Sequence, residues 1–290
     1  GDYNAFYIER PASFASVLGV IYEHVPEWVF SQEQELYSLE TNPLFNNAAV
    51  DDYHLQSVVG RYDEFLGYYV DTDTNHSHLI DAGSFDWDFG NEPSPNGSRI
   101  NIGVHGNTTL ASKSRTNAWL KTITGMGGGR LEGTLLLSWN SGNIPDNELV
   151  ILDYSYDNGV TWTNIGTNVV SARAHIWQSE LKFPPDIERW PSSPIGRWRI
   201  YLASDTNIVN ITENYFSLRN KKFVYYVNDA STVGDVYTCG PGDDNNLGIF
   251  ACQPKATLSS LLDVLDVEGD DTILIDTGIY DIGTNSLWVL

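Results

Sequence analysis

Apolar residues in this chain come in short bursts separated by turn-forming Gly, Asn, Asp and Pro, and long helical periods are scarce. The clearest burst, residues 149–156, reads as a core strand. Residues 130–139 alternate apolar and polar positions, and 161–165, 175–181, 197–202 and 215–218 are further strand candidates between turn signals. Towards the end, 222–227, 272–276 and 286–290 read as strands. Towards the start, 53–55, 79–80 and 100–104 read as short ones, and 14–23 and 27–35 as brief helices. One helix is well marked: Leu258, Leu261, Leu262 and Leu265 fall on one face within 257–266, behind Thr257 as N-cap.

These elements predict an all-β chain in three sections with one short capping helix. Residues 1–114 suit solenoid turns, in which each coil buries side chains only against its neighbours. Residues 115–222 have the strand spacing of an antiparallel β-sandwich of the immunoglobulin or fibronectin type. A glycine-rich stretch, Gly125-Met126-Gly127-Gly128-Gly129, reads as a flexible loop at its start, and Pro184-Pro185 with Pro191 to Pro194 as an extended loop that cannot join a central strand. Residues 223–290 open with a strand and a Gly/Asp/Asn loop, and the helix would cover the end of an apolar core.

Asn42-Pro43-Leu44-Phe45, Asp52-Tyr53-His54-Leu55-Gln56, Ile80-Asp81-Ala82-Gly83 and the run Asn96 to Gly103 resemble the closing turns of a right-handed parallel β-helix, as in large bacterial surface proteins. Tyr226-Val227, the loop Gly242 to Gly248, Pro254-Lys255-Ala256-Thr257, Gly269-Asp270-Asp271-Thr272 and Gly278-Ile279-Tyr280 resemble the opening of the pectate-lyase-like right-handed β-helix superfamily, with Asp271 as one extra residue. The resemblance implies partial β-helices flanking the sandwich, tail first and head last: the end of one solenoid joined to the start of another. Enzymes of that superfamily carry their active groups on middle turns, which this chain lacks, so no catalytic residue is carried over. Ser155-Tyr156-Asp157-Asn158-Gly159-Val160-Thr161-Trp162 resembles the Asp-box of sialidase-type propellers, in Ser155, Asp157, Gly159, Thr161 and Trp162. A single box implies a hairpin staple rather than glycosidase chemistry.

The chain has 290 residues and a net charge of −22, from 16 Lys and Arg against 38 Asp and Glu. That balance repels nucleic acid and anionic membranes and attracts divalent cations; it also keeps an extracellular protein soluble. No membrane-spanning run or leader is visible. The two cysteines, Cys239 and Cys252, bracket a Gly/Asp loop and predict a disulfide formed in an oxidising compartment. In that loop Asp243, Asp244 and Asn246 are candidate Ca²⁺ ligands, the alternative being a solvated turn. Asp51, Asp52, Asp71 and Asp73 are weaker cation candidates. Asp81, Asp86 and Asp88 could pair as catalytic carboxylates, but Asp81 is better read as a turn cap. His76 and His78 have a spacing that can ligate a metal on a strand. Trp28, Trp87, Trp177, Trp190 and Trp198 fill cores and joints or stack on sugar rings.

The expectation that follows is a non-enzymatic structural segment or repeating subunit of a secreted cell-surface protein or fibre. Its partners are other copies of itself or the continuation of the same chain, head to tail, and polysaccharide. The motive is strand edges around residues 3–8 and 287–290 that only more protein can pair. The alternatives are the scaffold part of a polysaccharide lyase or hydrolase, or a carbohydrate-binding adhesion module.

Overall fold

A computed structural model describes residues 2–9, 12–183, 187–265, 267 and 269–280. The strand expected at 286–290 lies outside them. The described chain is all-β with two short helices. It divides into two compact units, one of Gly1–Pro191 with Gly196–Phe216, the other of Ser192–Ile195 with Ser217–Leu290.

The first unit begins with β1 (Ala5–Phe6), β2 (Ala15–Val17), β3 (Val20–Tyr22), α1 (Val25–Gln32), β4 (Leu39–Glu40), β5 (Phe45–Asn47), β6 (Asp52–Leu55), β7 (Arg61–Asp63) and β8 (Tyr68–Val70). β1 pairs with β4 in parallel, whereas β2–β3, β5–β6 and β7–β8 are antiparallel hairpins. The helix expected at 14–23 is therefore a hairpin. Leu18 and Gly19 both take positive φ, 51° and 85°, the geometry of a type I′ turn, which breaks a helix and twists two strands together. The helix expected at 27–35 starts earlier and stops at Gln32, because Glu33 turns left-handed at φ 52°. Residues 79–80 and 100–104 are not strands. They pair locally instead, with Ile102 N donating to Leu79 O and Gly83 N to Ile100 O, both at 2.9 Å. Leu39, Leu55, Leu79, Ile80, Ala82, Ile123 and Met126 form one apolar cluster.

The chain continues through β9 (Trp119–Thr122), β10 (Arg130–Leu131), β11 (Thr134–Gly142), β12 (Leu149–Ser155), β13 (Thr163–Val169), β14 (Ala174–Gln178), the hairpin β15 (Lys182–Phe183) and β16 (Ile187–Glu188), then β17 (Ser193–Leu202), β18 (Val209–Ile211) and β19 (Phe216–Leu218). The first three residues of β17 and the last two of β19 are counted with the second unit. Pro194, expected in a loop outside any central strand, lies at the start of β17, where a strand tolerates proline. One sheet has the order β10-β19-β17-β12-β13, with β18 on β17; another has the order β14-β11-β9. Side chains alternate across a strand, so the antiparallel register of β12 on β17 sets Val150 opposite Leu202, Leu152 opposite Ile200 and Tyr154 opposite Trp198, all buried. Between them Asp153 faces Arg199 and pairs with it at 2.8 Å. The Trp177 ring of β14 lies 5.0 Å from that of Tyr154, and Trp198 Nε1 donates to Thr124 O at 2.7 Å.

The stretch Gly125–Gly129 is not loose. Met126 is buried, and a Cβ on Gly127 would come 2.2 Å from Glu40 Cδ, one on Gly129 2.7 Å from His24 Cβ. Glycines here let the chain approach α1 and β4 closely.

The second unit holds β20 (Val224–Val227), α2 (Leu258–Val264) and β21 (Thr272–Ile275). Thr257 caps α2 by accepting from Ser260 N, and Leu261 and Leu265 are buried. β20 and β21 pair in parallel, Val224 with Thr272 through Val227 with Ile275, and Val227 also bridges Lys255 in parallel.

Candidate functional site

Two places gather polar chemistry. The first lies in the second unit, just past the paired strands. Asn228 and Asp276 follow Val227 and Ile275, which are in register. Asp276 accepts from Val236 N and Thr277 N on Oδ1 and from Tyr237 N, Thr238 N and Thr238 Oγ1 on Oδ2, at 2.7–2.9 Å. Buried Asn228 donates through Nδ2 to Ser231 O, Asp235 Oδ2 and Gly240 O. Cys239 and Cys252 form the expected disulfide, with Cα atoms 4.5 Å apart. Asp243 Oδ1 accepts from Asn245 N, Asp244 Oδ1 accepts from Ala256 N and Thr257 N, and Asn246 Nδ2 donates to Pro254 O. These three candidate Ca²⁺ ligands thus hold their own loop against the start of α2.

The second place, in the first unit, was not legible as a group in sequence. His54 on β6, Glu64 on the β7–β8 turn and His105 on the loop after residue 102 bring their ligating atoms within 4.8 Å of one another, and no other such cluster of His, Cys, Asp and Glu occurs among the described residues. His54 is buried and its Nδ1 lies 2.8 Å from Asp52 Oδ1, while its Nε2 has no hydrogen-bond partner. The His54 and His105 rings stack with centroids 3.8 Å apart. Burial pushes the Asp52 carboxyl up, but hydrogen bonds from Asn46 and His54 outweigh it and hold the group below its ordinary range. Burial, with the neighbouring His54, lowers His105.

The remaining candidates are dispersed. His78 Nε2 meets Glu213 Oε1 at 2.7 Å rather than joining His76, and that bond, with the charge of Lys121, holds Glu213 at about 2. His76 is pushed down to about 4, chiefly by burial. Asp73 pairs with Arg61 at 3.1 Å, and Asp51 accepts from Tyr53 Oη. Asp88 is taken up by Gly90 N and Asn107 Nδ2. Asp157 accepts from Thr161 N and Thr161 Oγ1 and from Ser155 Oγ, and Gly159 takes φ 90°. Trp177, Trp190 and Trp198 are buried, whereas Trp87 is 61% exposed. An apolar cleft of about 480 Å³ lies beside Val25, Val29, Met126 and Leu131, with Glu35 and Glu40 at its wall. Glu35 is held below the ordinary carboxylate range: burial raises it, but hydrogen bonds from Ser38 and Asn4 prevail. A general acid for glycoside hydrolysis needs the opposite shift.

Asp81 sits in a left-handed conformation, φ 58°, with Ser114 Oγ donating to its Oδ1 at 2.6 Å. Burial pushes its carboxyl up to about 6, Ser114 and Arg99 opposing and Glu92 adding. Folding therefore favours the protonated acid; its contribution is full below the ordinary value of 3.8 and is lost as pH rises through about 6. The cost at neutral pH is at most about 3 kcal/mol, at about 1.4 kcal/mol per pH unit. Arg99 keeps its hydrogen bonds without this charge, since Gly83 O, Ala82 O and Asn140 Oδ1 accept its donors. Asp81→Asn keeps the turn and the Ser114 bond. It is expected to raise stability at pH 7 by about 1–3 kcal/mol and to flatten the melting temperature between pH 4 and 6; equal pH profiles for variant and parent would refute this.

No protein-family model, curated protein or solved structure matches this chain. Among the described residues no helix is long and apolar enough to cross a membrane.

Proposed function

We propose that this chain is a structural segment or repeating subunit of an extracellular cell-surface protein or fibre, continued end to end through β-helix turns. The observation that carries the reading is the parallel β20–β21 pair. Parallel strands belong to sheets covered on both faces, and a ladder of two is marginal alone. Among the described residues β21 has the single partner β20, and Val224 and Ile275 are 42% and 43% exposed. A further coil stacked on β21 would cover that apolar surface and pair its free edge. The hydrogen-bonded side chains of Asn228 and Asp276, which follow the register partners Val227 and Ile275, support a solenoid opening. In the first unit β1–β4 supports a second parallel ladder, and the Trp177–Tyr154 contact supports an immunoglobulin- or fibronectin-like sandwich stapled by an Asp-box at Asp157.

The test is light scattering and electron microscopy of the 290-residue chain over a concentration series. Growth into end-to-end oligomers supports the reading; a monomer at every concentration overturns its repeating-subunit form. Calcium on the acidic loop is part of the same reading, through the oxygens of Asp243, Asp244 and Asn246. Chelation by EGTA is then expected to lower the melting temperature of the second unit by mass action, and identical curves would remove calcium from it. A second reading, glycan binding, is favoured by the exposure of Trp87. A glycan array on which Trp87→Ala loses the parent's signal distinguishes it.

A further inference from the structure

The group on β6, the β7–β8 turn and the loop at His105 has a feature that packing does not explain. Asp52 can only accept at His54 Nδ1, so in the neutral imidazole the proton sits on Nδ1 and Nε2 presents a lone pair. That lone pair is buried and unpartnered, which leaves a polar atom desolvated for no return unless something binds it. A carboxylate holding the far nitrogen of a histidine is also the usual support for a metal-bound imidazole, because it fixes the tautomer and raises the basicity of the ligating nitrogen.

We propose that His54 Nε2, a ring nitrogen of His105 and the Glu64 carboxylate bind a divalent transition ion of the zinc class. Two imidazoles and a carboxylate form a donor set for Zn²⁺, with a fourth position for water, whereas Ca²⁺ takes oxygen ligands. The three ligands come from separate segments of the first unit, so the ion ties β6, the β7–β8 turn and the His105 loop together. Ring planes that stack 3.8 Å apart and only 11° from parallel do not converge on one ion as they stand. His105 lies on a half-exposed loop and Glu64 on an exposed turn, so these two move to meet the fixed His54 nitrogen. Asp52 is the positioning residue, held in turn by Asn46 Nδ2 at 2.5 Å from its other oxygen.

The experiment uses the whole chain after chelator treatment, titrated with Zn²⁺ by calorimetry and with Co²⁺ by visible absorption. Expected are one equivalent bound, the visible bands of four-coordinate Co²⁺, a raised melting temperature with Zn²⁺, and loss of the ring-current shifts that the stacked imidazoles give in NMR spectra. Asp52→Asn is expected to weaken binding by about 10–100-fold without changing the stoichiometry. His105→Ala and Glu64→Gln are each expected to weaken it by at least that much; both side chains reach the surface, and melting in chelator checks that the variants stay folded. If His105→Ala fails that check, Glu64→Gln alone decides. Absence of Zn²⁺ binding overturns the proposal, as does binding unchanged in these variants or displaced by Ca²⁺ at equal concentration, since scattered surface carboxylates would then hold the ion.

Discussion

Replacing Asp271 with alanine is expected to destabilise the second unit by about 3–5 kcal/mol, the range for breaking one side of a buried ion pair. Arg219 donates to both oxygens of Asp271, Nη1 to Oδ2 at 2.7 Å and Nη2 to Oδ1 at 2.8 Å, and both side chains are buried, at 2% and 0% exposure. Asp271 Oδ1 also accepts from Phe223 N at 2.9 Å, just before β20. Alanine would leave a buried guanidinium without its two-point acceptor, while the half-exposed Asp270, at 2.9 Å from Nη2, still answers part of its charge. Asp270 places the effect towards the lower end of the range. Asp271→Asn keeps an acceptor and the shape but loses the charge and the paired geometry, so a smaller loss is expected. Hydrogen exchange of the β20 and β21 amides reads the second unit directly. Protection in Asp271→Ala equal to that of the parent would show that the pair contributes nothing.

In the first unit the largest effect is expected at Trp198, where alanine should cost about 3–5 kcal/mol. The ring is fully buried on β17, opposite Tyr154. Truncation removes its apolar burial, opens a cavity and strips Thr124 O of the indole donor. Trp198→Phe keeps most of the volume and loses the hydrogen bond, so a smaller loss, about 1–3 kcal/mol, is expected for the orphaned carbonyl and the incomplete fill. Denaturant titrations with similar slopes for parent and variants measure both. A Trp198→Ala midpoint at the parent's value would mean the core had collapsed around the gap at no cost.

In the larger sheet β12, β13, β17 and β19 were readable because their chemistry is local, whereas β18 carries no sequence signal and the single stretch 130–139 divides into β10 and β11 of different sheets. β12 is an apolar run between turn residues, and α2 shows both its Leu spacing and its Thr257 cap. The Asp157 turn was readable for the same reason, every partner lying within a few residues. The disulfide was readable because only two cysteines exist. Misreadings occurred where one residue decides the backbone or where distance along the chain hides a contact. Leu18-Gly19 turned an apolar run from helix to hairpin. The glycines near Met126 looked loose, but the side chains that need their smallness, His24 and Glu40, stand far away in sequence. Asp271 looked like an insertion into a motif and is instead the partner of Arg219. His54 and His105 carry no common spacing signal, whereas His76 and His78, two residues apart, do. Only the positions of β6 and the His105 loop bring the two rings together.

The parallel pairing of β20 with β21 also dictates an order of events in time. The strands cannot meet until everything from Asn228 to Asp271 has been synthesised and looped back, so their contact is non-local and slow to nucleate. Oxidation of Cys239 with Cys252 shortens that search by closing part of the excursion first. Biogenesis of this region is therefore coupled to redox conditions, and a reducing compartment would prolong the interval in which β20 lies bare to chaperones or to neighbouring nascent chains.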